Sequence, residues 1–183
     1  MVDDAHSLLQ AIANNDEKAM SQFYDQFHSV VYNFALKRMR EPADAAEVLN
    51  LVMLEVWKTA QRFEGRSKVQ TWLLGITHHK IIDSLRKIGR HEGEEIPAHL
   101  EDEDQNSALD LVALGENAEF IRYCMERLSD DHREVIHLAF FEDLIYTEIA
   151  EIIERPEGTV KTRMYHAKIS LKKCLEKLID DEA

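Results

Sequence analysis

Apolar residues recur every three or four positions along most of this 183-residue chain, a spacing typical of helices that bury one face. In the first half the pattern predicts four helices, near residues 5–12, 17–40, 43–62 and 69–88. We expect Asp16 to cap the second helix, and Pro42 to end it, because proline disfavours helix in the residue before it. Residues 1–90 are therefore predicted to form one small helical domain.

The pattern changes between about residues 91 and 110. This stretch contains Gly93, Pro97 and the acidic run Glu101–Asp104, and its apolar periodicity nearly vanishes. It is predicted to be a linker. Helical spacing then resumes over residues 111–183, where Ser129 is a predicted N-cap and Pro156 suits a first helical position. The predicted fold is all-α, with two small helical domains joined by an acidic linker.

The last two predicted helices have the layout of a helix-turn-helix. The longer one places Val160, Met164, Ala167, Leu171 and Leu175 on one buried stripe. Polar and basic side chains fill the rest of its surface: Thr159, Lys161, Thr162, Arg163, His166 and Lys168. Hydroxyls and arginine at the start of such a helix can reach base edges in the major groove. Spacing alone fits a solvated helix face equally well.

Charge and composition limit the classes of function that the protein can have. The net charge of −13 argues against a protein that binds DNA tightly without a partner, because contacts with phosphates supply most non-specific affinity for DNA. The chain has no apolar run long enough to span a bilayer and no signal-peptide pattern at its start, so we expect no membrane insertion and a cytoplasmic location. For that compartment the two cysteines, Cys124 and Cys174, are expected to be reduced thiols.

Catalytic patterns are missing from the sequence. It contains no HExxH, CxxC, GxSxG or phosphate-binding glycine loop. His78 and His79 are adjacent and so point in different directions on a helix, while His132 and His137 are five residues apart. We therefore expect no enzyme activity, no cofactor and no metal site.

Both halves carry motifs that resemble one family. The segments Tyr146–Ile153 and Pro156–Arg163 resemble the fourth conserved region of extracytoplasmic-function (ECF) sigma factors of bacterial RNA polymerase, within the sigma-70 superfamily, and Leu128–Leu138 resembles the same region's upstream part. Asp44–Trp57 resembles the family's second region, and Phe63–Lys87 resembles its promoter-melting segment. The motifs follow the family's order and spacing over most of the chain.

The resemblance implies an alternative sigma factor that binds core RNA polymerase, directs initiation at specific promoter DNA, and is controlled by an anti-sigma factor. It implies that the first domain recognises and melts the minus-10 element and captures a flipped base in the loop at residues 63–69, while the second reads the minus-35 element. The resemblance implies that the linker threads the polymerase channel that later holds RNA, whereas the sequence alone slightly favours a solvated spacer.

The resemblance also assigns residues to each surface. Core binding would fall to Asp44, Glu47, Asn50, Leu51 and Glu55. Minus-10 contacts would come from Phe63, Arg66, Lys68, Trp72, His79, Lys80, Arg86 and Lys87, although helical spacing favours Trp72 as a core residue. Minus-35 contacts would come from Thr159, Lys161, Thr162, Arg163, His166 and Lys168.

The sequence departs from the family pattern at six positions: Asn50, Leu51, Gly75, His79, Ile145 and Glu154. Ile145 and Glu154 replace a serine cap and a turn glycine, so both are expected to weaken local geometry. The alternative function is a self-sufficient helix-turn-helix regulator. Such a protein would not need the motifs of the first domain, and it would have to bind operator DNA alone against the net charge of −13.

Overall fold

The computed structural model describes residues 2–88 and 118–182, and within these ranges the chain is helical between short turns, with no strand. The first range contains α1 (Val2–Ala13), α2 (Glu17–Met39), α3 (Pro42–Thr59) and α4 (Val69–Lys87), with a 3-10 turn at Ala60–Arg62. The second contains α5 (Ala118–Glu126), α6 (Asp130–Phe140), α7 (Tyr146–Ile153) and α8 (Glu157–Glu182). The all-α prediction is confirmed. The predicted linker at 91–110 lies outside the described residues.

The chain divides into two compact units, one formed mainly by α1–α4 and the other mainly by α5–α8. In the first, α2 packs against α1, α3 and α4, so the longest helix of this unit is its centre. Buried side chains along α2 include Phe23, Val31, Phe34 and Met39.

Helix boundaries follow local chemistry. The Asp16 carboxylate accepts hydrogen bonds from the backbone N–H groups of Lys18 and Ala19 at 2.8 and 3.1 Å, as an N-cap should. Helix α2 ends where Arg40 adopts the left-handed conformation, with φ 66°, and α3 begins at Pro42. In the second unit the Ser129 hydroxyl accepts from the His132 N–H at 3.3 Å. The predicted caps at Asp16 and Ser129 are confirmed.

The sequence predicts a buried stripe of Leu49, Met53, Val56, Trp57 and Ala60 on the third helix, and all of these except Trp57 are buried. Trp57 is only half-buried, whereas Val48 and Val52 are fully buried. The buried face of α3 is therefore rotated relative to the prediction, because it contacts both α2 and α4 rather than a single neighbour.

In the second unit α5 and α6 each pack against α8. The predicted stripe on α8 is confirmed, since Val160, Met164, Ala167, Leu171 and Leu175 are all buried.

The prediction of two reduced cysteines is wrong in this structure. Cys124 on α5 and Cys174 on α8 form a disulfide across 50 residues of sequence. Their Cα atoms lie 5.7 Å apart, within the range that a disulfide requires, because the two helices pack side by side. Leu171 and Leu175 bury the bond on the α8 side.

Helices α7 and α8 form the predicted helix-turn-helix. Two of its residues depart from the family pattern that the sequence resembles, Glu154 in the turn and Ile145 before α7, and the structure shows the local geometry at each. Glu154 in the turn has a φ of 51°, the left-handed conformation that glycine would adopt more easily. At the start of α7 the Glu148 carboxylate accepts from the Ile145 N–H at 3.1 Å. Half of a capping box therefore remains although Ile145 has no side-chain acceptor.

Candidate nucleic-acid and partner interfaces

The candidate partner surface lies on the solvent side of α3. Glu47 and Asn50 are exposed there, whereas Asp44, Leu51 and Glu55 are half-buried. Leu51, which the resemblance assigns to this surface as its apolar member, is therefore only partly exposed. That position belongs to Leu54, which is 49% exposed one helical turn beyond Asn50. Both leucines lie outside the buried stripe, and the position of that stripe over Val48 and Val52 makes Leu54 the more exposed of the two.

One ion pair joins this surface to α4. Lys80 Nζ donates to Glu55 Oε2 at 2.8 Å, and both side chains are partly shielded from solvent. The hydrogen bond from Lys80 lowers the pKa of Glu55, with smaller lowering by the charges of Lys80, Lys58 and Arg62 against the opposing effect of burial. A candidate partner residue and a candidate DNA residue are therefore in direct contact.

The candidate base-capturing loop is held by an aromatic cluster. The Phe63 ring lies 5.3 Å from the Trp72 ring and 5.4 Å, edge-on, from the His6 ring of α1, measured between centroids. Phe63 and Trp72 are both half-buried, so Trp72 is not the fully buried core residue that its helical spacing favoured. Ring faces of this kind can stack on unpaired bases.

Gly65 at the tip of the same loop has a φ of 71°. A Cβ at this position would lie 3.2 Å from the Cε1 atom of His6. A larger residue here would strain the left-handed backbone and crowd the His6 ring, so both features favour glycine. Sequence reasoning missed His6, because it lies 57 positions before Phe63 and belongs to no motif.

Basic side chains surround this loop and continue along α4. Lys68, His79, Arg86 and Lys87 are exposed, and Arg66 is exposed while its guanidinium lies 2.6 Å from the Glu64 carboxylate. Arg66 and Lys68 therefore add basic groups to the loop itself, in a protein that is acidic overall.

On α8 the candidate reading residues have different environments. The Thr162 hydroxyl donates to the Gly158 carbonyl at 3.0 Å, and Lys161 Nζ lies 3.4 Å from the Glu157 carboxylate. Thr159 is half-buried in the first turn. Lys168 is half-buried too, and burial lowers the pKa of its ammonium group.

Two of these residues contact the first turn of α6. Arg163 Nη2 lies 2.6 Å from Asp131 Oδ2, and the His166 ring centroid lies 6.3 Å from that of His132 with the planes inclined by 22°. Burial, followed by the positive charges of His166 and Arg163, lowers the pKa of His132 against the opposing charge of Asp131. The sequence assigns neither Asp131 nor His132 to the candidate reading surface.

The rest of the described structure adds two findings. Within residues 2–88 and 118–182 no group of three histidine, cysteine or acidic side chains is placed to hold a metal ion. In the same ranges, no helix combines the length and apolar character needed to cross a membrane.

Comparison with known proteins matches both halves of the chain to one family. Residues 23–91 match the profile of Sigma-70 region 2, and residues 120–171 match that of Sigma-70, region 4. The chain is 29% identical to the ECF RNA polymerase sigma factor SigK of Mycobacterium tuberculosis, over 94% of each chain, and 28% identical to SigK of Mycobacterium ulcerans, over 95% of each.

Solved structures share the fold. The sigma factor RpoE in its complex with the anti-sigma factor NepR from Bartonella quintana has a TM-score of 0.65 at 23% identity, covering 87% of this chain and 98% of that one. CnrH in complex with the cytosolic domain of CnrY also has a TM-score of 0.65, at 17% identity, covering 98% and 99%. The chain therefore belongs to the ECF class of the sigma-70 family, the alternative sigma factors with which RNA polymerase initiates transcription.

Proposed function

We propose that the two units divide promoter recognition between them, with the first domain binding core polymerase and opening the minus-10 element and the second reading the minus-35 element. The observation that carries the proposal is the aromatic cluster of Phe63, Trp72 and His6 beneath a glycine-tipped loop. It offers ring faces next to exposed basic side chains, which is the chemistry that unpaired DNA requires.

Core polymerase docks on the solvent side of α3. Asp44, Glu47, Asn50, Leu51 and Glu55 contribute to this surface, and the exposed Leu54 extends it with an apolar contact. A solvent-exposed leucine between acidic and amide side chains is a suitable anchor at an interface, since its burial removes apolar area from water.

Minus-10 DNA contacts the loop and α4. Phe63 and Trp72 stack on bases, while Arg66, Lys68, His79, Lys80, Arg86 and Lys87 contact the backbone or base edges. Unstacking a base costs a few kcal/mol, and stacking on a side-chain ring returns about 1–3 kcal/mol for each base.

Minus-35 DNA is read by α8 in the major groove. Thr159, Lys161, Thr162, Arg163 and His166 lie in its first three turns, and Lys168 contacts phosphate further along. Arginine suits guanine, because its donors match the O6 and N7 acceptors.

The protein acts in the cytoplasm without catalysing a reaction, and an anti-sigma factor regulates it. The complexes of RpoE with NepR and of CnrH with CnrY support this partner for a chain of the same fold. The net charge of −13 supports dependence on polymerase, since the free chain meets DNA phosphates with a net repulsion.

Run-off transcription with purified core enzyme on promoters varied base by base tests this division. Phe63→Ala should reduce opening of the minus-10 element, read by permanganate reactivity, and leave minus-35 preferences unchanged. Lys161→Ala should weaken use of the minus-35 element without changing opening once the complex has formed. If both variants lose the same step, the division is wrong.

Fluorescence anisotropy with promoter duplex separates this function from that of a self-sufficient regulator. The free chain should show little promoter preference near physiological salt, and core enzyme should confer it. Tight, sequence-specific binding by the chain alone would identify a regulator of the operator-binding kind instead.

A further inference from the structure

The Asp131–Arg163 pair joins the first turn of α6 to the reading helix. Arg163 lies in the second turn of α8, and its side chain is only 16% exposed, compared with 25% for Asp131. A partly shielded ion pair at 2.6 Å holds its geometry better than a pair in open solvent, where side-chain entropy and screening remove most of the gain.

The contact leaves Arg163 able to bind a second group. It engages Nη2, and a guanidinium carries five N–H donors in a planar fork. Fixing one end of the fork restricts the directions in which the other donors can point. That restriction is what recognition of a planar base edge by arginine needs, because two parallel hydrogen bonds tolerate little rotation.

A second contact joins the same two elements. The ring of His132, next to Asp131, packs near the ring of His166, one turn after Arg163. Two successive residues of α6 therefore meet two successive turns of α8. The start of α6 therefore supports the flank of α8 on which Arg163 and His166 lie.

We propose that Asp131 is a positioning residue for minus-35 recognition, which orients the Arg163 guanidinium toward a guanine edge. The inference rests on the proposed role of α8 and adds a residue that no sequence motif assigns. Asp131 itself touches no base in this arrangement, because its carboxylate would repel the phosphates on either side of the groove.

The charge of Asp131 gives the proposal a distinctive consequence. Replacing Asp131 removes a negative charge from the DNA side of the domain, so affinity for all sequences should stay equal or rise. Discrimination at the base pair read by Arg163 should fall at the same time. A residue that merely holds the domain together would lower affinity and discrimination in parallel.

The test is promoter preference of holoenzyme containing Asp131→Ala, Asp131→Glu, Arg163→Ala or the double variant. If Arg163 makes a good base contact, Arg163→Ala should reduce discrimination at one base pair by roughly 5- to 150-fold. Asp131→Ala should reduce discrimination at the same pair by at least about twofold, and the double variant should match Arg163→Ala, since the two residues act through one contact. Asp131→Glu should restore part of the preference.

The matched control is Asp130→Ala, which removes the same charge from the same helical turn. The Asp130 carboxylate pairs with Arg133 at 3.1 Å, whereas Arg163 pairs with Asp131, so loss of Asp130 should leave base preference intact. Thermal unfolding followed by circular dichroism identifies any variant that fails to fold, and Asp131→Asn then provides a milder replacement.

Two results would overturn the inference, one by excluding Asp131 alone and the other by excluding the proposed reading helix. Should Arg163→Ala relax one base pair while both Asp131→Ala and Asp131→Asn keep every preference, α8 reads the promoter without help from Asp131. Should Lys161→Ala, Thr162→Ala and Arg163→Ala all leave minus-35 preference unchanged, the proposed reading helix itself is wrong, and Asp131 loses its role with it.

Discussion

Lys80 on α4 donates a 2.8 Å hydrogen bond to Glu55 on α3, so one ion pair joins the helix proposed to dock on polymerase to the helix proposed to contact the minus-10 element. The contribution of this pair to the free energy of unfolding should depend on pH. Glu55 has a lowered pKa, so its contribution to stability is present above the ordinary value of 4.5 and is lost as pH falls through the lower value in the folded protein.

Lys80→Met should therefore reduce the free energy of unfolding near pH 7 by a few tenths to about 1 kcal/mol, the range for a partly exposed pair. At pH 3 the difference between the variant and the parent protein should shrink. Urea unfolding of both proteins at the two pH values measures this difference in the free energy of unfolding. Lys87→Met at the exposed end of α4 is the control, and an equal loss in both variants would show that the contact with Glu55 contributes nothing.

Leu54, rather than Leu51, should be the better probe of core polymerase docking. Leu54→Arg replaces a 49% exposed side chain and should leave the fold intact while weakening core binding by about 1 kcal/mol or more, as for an interface anchor. Leu51→Arg would change a half-buried residue, and its destabilisation of about 1–3 kcal/mol would confuse the result. Pull-down of core enzyme by each variant, with unfolding curves beside it, separates the two effects. Unchanged binding by Leu54→Arg places the docking surface elsewhere.

The sequence predicted the helices because their signals are local. The period of apolar residues, the caps at Asp16 and Ser129 and the buried stripe on α8 are each contained within a few turns of chain. The rotation of α3 was not predictable in the same way, because the choice between Leu51 and Leu54 as the outward residue depends on packing against both α2 and α4.

The sequence predicted which residues belong to each candidate site. It did not predict the contacts that those residues make with other helices. Asp131 with Arg163, and His6 with Phe63, lie 32 and 57 positions apart in the sequence, and no motif pairs them. The cysteine pair is a third case, in which an expectation based on cellular compartment was overturned by the side-by-side packing of α5 and α8.

Acidification should destabilise the second domain through His132. Its pKa is lowered chiefly by burial, so the folded domain holds the ring neutral while the unfolded chain takes up a proton near pH 6.5. Stability is therefore constant well above that pH and falls as pH drops from 6.5 toward the lower value in the folded protein. Proton NMR of the imidazole should show His132 titrating at lower pH in the folded than in the urea-unfolded protein.

The neighbours of His132 give this prediction a sign test. Asp131→Asn should lower the pKa of His132 further, because the carboxylate raises it, whereas Arg163→Met should raise it. A higher pKa of His132 in Asp131→Asn, or a lower one in Arg163→Met, would show that these side chains contact the ring differently in solution.

Reduction of the disulfide should loosen the second domain selectively. The bond closes a loop of 50 residues, for which restriction of the unfolded chain contributes about 2–4 kcal/mol. The effect should be confined to the domain in which Cys124 on α5 is bonded to Cys174 on α8. Hydrogen exchange measured by peptide mass spectrometry, with and without dithiothreitol, should show faster exchange in both helices and no change in α1–α4. A variant with both cysteines replaced by serine should exchange fast under either condition. Equal protection of α5 in the oxidised and reduced proteins would mean that packing against α8 holds that helix without the bond.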